Sequence, residues 1–91
     1  MNKPSPAAAE ARFDHIQAFL DETRGQLTIG EIPPIRRAAL AAVGKKVRVA
    51  LVCGEKETAN ELLLRLDTAL GKATKENTVI DEVLPEIQRR R

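Results

Sequence analysis

Three residues offer nucleophilic or base chemistry in this chain: one serine (Ser5), one cysteine (Cys53) and one histidine (His15). Nucleophilic catalysis asks for an activated nucleophile, a base and a group that orients the base. Cys53 lies in VALVCGE, whose apolar neighbours keep a thiol protonated and inert. A Cys53–His15 dyad has nothing in its favour beyond the presence of both residues, and such pairs are recognised by geometry. Metal binding has less support, because a structural zinc site wants four nitrogen or sulfur ligands. The acidic pairs Asp21/Glu22 and Asp81/Glu82 are adjacent in sequence, so on a helix they point apart. The glycines lack the Lys-Ser/Thr of a phosphate loop and the spacing of a dinucleotide fingerprint. The chain is therefore expected to be no enzyme, with no catalytic, cofactor or metal site.

The cations are more informative. No acidic residue occurs between Glu31 and Glu55, an interval that holds Arg36, Arg37, Lys45, Lys46 and Arg48. Arg89, Arg90 and Arg91 follow at the C-terminus. These eight are the candidate contacts to phosphates or to an acidic partner. The competing reading is that acids from elsewhere in the fold pair with them, and that the final arginines answer a helix C-terminus.

Composition sets the limits within which these residues act. Ninety-one residues with a net charge of +2 make one modest domain, mildly basic. The aromatics are Phe13 and Phe19 alone, which leaves little surface for stacking on bases. One cysteine excludes an intramolecular disulfide and fits a reducing cytoplasm. No apolar run has the length of a signal-peptide core or a membrane span.

The elements that must position the cations are read from periodicity. Glu55–Leu70 carries Ala59, Leu62, Leu63, Leu66, Ala69 and Leu70 at helical spacing. Thr58 and Glu61 have capping-box spacing before it, a start nearer Glu55 is the alternative, and Gly71 stands at the expected stop. Its wide apolar face marks it as the central helix. Ala9, Phe13, Ile16 and Leu20 predict a first helix over 6–24, capped by Ser5 and stopped at Gly25, with His15 off its stripe. Residues 25–33 read as a loop, with a short extended piece as the alternative where Leu27 and Ile29 alternate with Thr28 and Gly30. Over 34–53, Leu40, Val43, Val47, Ala50 and Leu51 keep helical phase across Gly44, which predicts a helix with Arg37, Lys45 and Arg48 along one flank. Against it stand the glycine and the β-branched run KVRVALVC, which suits a strand. Thr78 and Asp81 predict the cap of a last helix, kinked at Pro85.

Ala50 and Gly54, followed by a helix, resemble the turn of a helix-turn-helix. Gly54, Ala59 and Leu63 resemble the second helix of a tetratricopeptide hairpin. Glu55 and Asn60 depart from the first pattern, and Lys46 and Val47 from the second, so no family is assigned.

The expected fold is all-α: a single domain over 1–91, an antiparallel bundle of three long helices plus a short Pro-kinked fourth, with a frayed tail at 1–4 and a basic tail at 89–91. The alternative is a small α+β domain with strands near 26–29 and 46–52. The expected function is a non-enzymatic protein–protein interaction module, a homodimer or an adaptor. The alternative is a small DNA-associated regulator that contacts nucleic-acid phosphates through the cations.

Overall fold

The structure is a computed structural model that describes residues 13–89. In chain order it contains α1 (Asp14–Thr23), β1 (Gln26–Ile32), β2 (Ile35–Val43), β3 (Lys46–Val52), α2 (Ala59–Glu76), β4 (Ile80–Asp81) and α3 (Val83–Arg89). The strands form one four-stranded sheet in the order β1-β2-β3-β4. The first three pair antiparallel as a meander; β4 adds parallel to β3, with α2 as the crossover.

This overturns the all-α bundle. The helix expected over 34–53 is a pair of strands. The alternative strands near 26–29 and 46–52 fall inside β1 and β3, but Ile35–Val43, helical in both readings, is a strand as well. The turns explain why. Gly44 has φ +60° and begins the two-residue connection of the β2–β3 hairpin, where a type II′ turn wants a glycine at its first central position. Pro33 and Pro34, joined by a cis bond, make the equally short connection between β1 and β2. A helix across Gly44 was in phase only because almost every residue of IRRAALAAV is apolar. β2 is the inner strand of the meander, so Ala38, Ala39 and Ala41 are all fully buried and no alternation survives.

The resemblances to a helix-turn-helix and to a tetratricopeptide hairpin fail for the same reason. Lys46–Val52 is a strand where either motif needs a helix.

One face of the sheet carries the core. Ala39, Ala41, Val49 and Leu51 meet Leu62, Leu66, Leu70 and Ala73 of α2 and Ile16 and Phe19 of α1. Strand alternation turns Ala38 and Ala50 to the opposite face, where they are also buried, and α3 packs against β2 and β3. Alanines on both faces of the inner strands let a helix approach closely from either side.

The capping box at Thr58 and Glu61 forms as expected: Glu61 N–H donates to Thr58 Oγ1 (3.1 Å) and Thr58 N–H to Glu61 Oε1 (2.8 Å). The helix does not stop at Gly71. It continues to a left-handed Asn77, and Thr78 N–H closes it on Ala73 O (3.0 Å). Gly71 serves a close approach instead: a Cβ there would stand 2.8 Å from the His15 ring. Likewise, Val83–Arg89 begins later than Thr78 predicted. Asp81 Oδ1 accepts from Val83 N–H (2.8 Å) and Leu84 N–H (3.0 Å), and Pro85 lies in the first turn, where no donor is needed and no kink follows. Of the first helix, 6–12 lies outside the described residues, as do Ser5 and the 1–4 tail.

Phe13 gives α1 no side-chain cap. Asp67 of α2 supplies one from outside, accepting Ile16 N–H at 2.8 Å while itself only 8% exposed. Asp67→Ala should therefore leave a buried donor unmet and cost about 1–3 kcal/mol. Chemical denaturation would show a lower midpoint at unchanged slope, and an unchanged midpoint would remove this role.

Candidate binding surfaces

The cations do not share one flank. Arg36 and Arg37 stand at the start of β2, whereas Lys45 and Lys46 lie at the β2–β3 turn, about 24 Å from Arg36 by strand rise, and Arg48 follows in β3, about 15 Å from Arg37. Arg36, Arg37, Lys45 and Lys46 are exposed and Arg48 is half-buried. Among the described residues none of the five forms an ion pair. Arg89 pairs with Glu86 one turn earlier on α3. Arg90 and Arg91 lie outside the described residues.

Both irregularities of strand register fall on these arginines. Gly30 pairs with Ala38 and Ile32 with Ile35, so Arg36 and Arg37 together oppose the single residue Glu31. Val49 pairs with Ala41 and Val47 with Ala42, so Arg48 is the extra residue of a second bulge. Arg36 and Arg37 line one open cleft of about 670 Å³ with Ile35, Val52, Cys53, Gly54, Glu55 and Glu57.

Arg65 of α2 closes the wall beside this cleft. Its Nε and Nη2 donate to Glu57 (2.9 Å each), its Nη1 donates to both oxygens of Glu82 (2.9 and 2.8 Å), and Nη2 also reaches Val52 O (2.6 Å). The carboxylates are held in turn: Gly54 N–H donates to Glu57 Oε1 (2.9 Å) and Val52 N–H to Glu82 Oε1 (3.0 Å). The Arg65 hydrogen bonds, opposed by burial and helped by the Gly54 N–H, hold the Glu57 carboxyl at about 2, against an ordinary 4.5. The guanidinium is raised above its ordinary value, first by Glu57, against burial, and then by Glu82. This cluster ties the end of β3, the 53–57 loop, α2 and the start of α3 together. With every group engaged it is a clamp. Its members lie 8 and 17 residues apart, without the helical spacing that a sequence pattern reveals.

The Cys53 thiol donates to Glu57 O (3.3 Å). His15 packs over Gly71, about 18 Å along α2 from its N-terminal end near Glu57, so no Cys53–His15 dyad forms. Among the described residues, no group of three His, Cys, Asp or Glu converges on a point where a metal would sit. No helix of the described residues is long and apolar enough to cross a membrane.

A third surface is the outer edge of the sheet. β1 is paired on one side only, and among the described residues no strand covers its other side. α2 packs chiefly against β2 and β3; on the helix-facing side of β1 Leu27 is packed against the core, but Ile29, opposite Ala39, is left 42% exposed. Periodicity gave this strand only as the alternative near 26–29, from the alternation of Leu27 and Ile29; β1 runs on to Ile32, and its place at the edge of the sheet had no signal in the sequence.

What the fold and these surfaces define is a small α+β domain with one helix-covered sheet, one exposed edge strand and unpaired cations at two bulges. Comparison with protein families, curated proteins and solved structures finds no match to this chain.

Proposed function

We propose that the chain is a non-enzymatic protein–protein interaction module whose partner is a second copy of itself, joined edge to edge through β1. The exposed edge of β1 carries this reading. Alternate residues of this seven-residue strand turn their N–H and C=O groups to the side that no strand among the described residues covers, with no proline and no lysine to discourage pairing; Glu31 is the one charge. An antiparallel pairing of two β1 strands about a two-fold axis is self-complementary. Centred near Ile29, it sets the two Ile29 side chains close together on the helix-facing side and covers apolar area that one copy leaves open. Main-chain bonding supplies affinity, as in other strand additions.

Size-exclusion chromatography with light scattering tests this. The expected mass is that of two chains, with Ile29→Lys shifting the equilibrium toward monomer by tenfold or more, roughly 1.4 kcal/mol, and leaving circular dichroism unchanged. A strict monomer for the parent chain at high concentration removes the reading.

A second reading, binding to the nucleic-acid backbone, is favoured by the unpaired Lys45, Lys46 and Arg48 around one turn. A gel shift against generic duplex over a salt series decides it, because phosphate contacts weaken steeply with salt. Absence of a shift at low salt sets it aside.

A further inference from the structure

We infer that the cleft beside the β1–β2 bulge binds a compact phosphate-type oxyanion between Arg36 and Arg37. On a regular strand two consecutive side chains point to opposite faces. Here both arginines fall in the bulge opposite Glu31, and both line the same cleft. A bulge re-aims side chains at some cost in ladder pairing, and this one brings two consecutive arginines to the lining of one cleft.

The carboxylates of the neighbourhood leave them available. Glu57 shares the cleft, but its oxygens are taken by Arg65 and the Gly54 N–H. Glu82 is bound on both oxygens by the same arginine. Glu31 and Glu55 are exposed and form no ion pair with Arg36 or Arg37. Arg65 shows what a guanidinium does on this wall when carboxylates reach it: it saturates its donors. Arg36 and Arg37 keep theirs. Two arginines lining one cleft offer two guanidinium forks, which suit a tetrahedral dianion that accepts from both better than a single carboxylate. Glu55 and Glu57, which line the same cleft, disfavour an extended polyanion, so the occupant is inorganic phosphate or a small phosphomonoester. The cleft is separate from the free edge of β1, so binding here does not depend on dimer formation.

The probe is inorganic phosphate, titrated into the full-length protein at constant ionic strength and followed by amide chemical shifts. Saturable shifts centred on Arg36, Arg37 and Gly54 below about 50 mM are expected. Arg36→Ala/Arg37→Ala should weaken binding at least tenfold. Arg36→Lys/Arg37→Lys keeps the charge but loses the forks, and should also weaken it; this pair serves if the alanine variant does not fold. Lys45→Ala/Lys46→Ala should leave binding unchanged. A small phosphomonoester that displaces phosphate at the same amides identifies the ester as the occupant, and its failure to do so identifies the free ion. No saturable shift, shifts spread over all the cations, or equal affinity in the Arg36/Arg37 variants would overturn the proposal.

Discussion

Leu66→Asp leaves the chain without cooperative structure at 25 °C, as far-UV circular dichroism would show. Leu66 is fully buried at the meeting of α2 with the sheet and α1. The substitution removes roughly 2–3 kcal/mol of apolar burial. It also asks a carboxylate to enter a site with no cation among its core neighbours, which costs several kcal/mol more even if the group takes up a proton. A domain of this size holds only about 5–15 kcal/mol in total. Leu66→Ala removes burial without adding charge, so it should fold, at a cost of about 3 kcal/mol and a melting point lower by roughly 12–24 °C. A folded Leu66→Asp would show that this stripe is not the core.

The second large effect is at Arg65. Arg65→Met retains the stem and removes the guanidinium, leaving Glu57 and Glu82 facing each other across a vacated space and Val52 O without its donor. Side-chain exposure of 36% at Arg65 moderates the loss through solvent screening, so about 2–3 kcal/mol is expected. Acid should reproduce part of it. The folded Glu57 carboxyl lies at about 2, below its ordinary 4.5, so the unfolded chain takes up that proton first as pH falls. The contribution is complete above about pH 5 and is lost between about 4.5 and 2, about 1–2 kcal/mol after screening. Urea midpoints measured across that window should decline in the parent chain and lose this step in Arg65→Met. A parallel decline in both would place the acid sensitivity elsewhere.

Local, sequence-near interactions were legible. The Thr58–Glu61 capping box forms, and Leu62, Leu66, Ala69 and Leu70 of the Ala59–Leu70 stripe are buried, although Ala59 is exposed. The α1 stripe is met in part: Ile16 is buried, but Leu20 is 40% exposed and Phe19, one residue to the side, is buried in its place, while Ala9 lies outside the described residues. Parts of β1 and β3 were legible only as the alternative strands near 26–29 and 46–52, and β2 was not legible at all, because a buried strand rich in alanine lacks alternation and alanine favours helix in isolation. The signals that would have found it are its two-residue connections, Pro33–Pro34 and Gly44–Lys45, each flanked by apolar runs. Of the candidate site, the cations were identified by residue type and by the missing acids around them. Their division into two groups follows from β2 being extended: a strand carries Arg36 and Lys46 about 24 Å apart, where a helix would have brought them within about 15 Å along one flank.

By itself, then, the sequence determined which residues bear charge, that a long helix follows Gly54 and which of its faces is largely apolar, since these depend on neighbours three and four residues away; its start at Thr58 rather than nearer Glu55 was decided by the structure. Tertiary structure alone decided that Ile35–Val52 is a hairpin, that Arg65 meets Glu57 and Glu82, and that β1 stands at an open edge. Those outcomes depend on pairing and burial between segments distant along the chain, and such pairing overrides the intrinsic helical preference of an alanine-rich run.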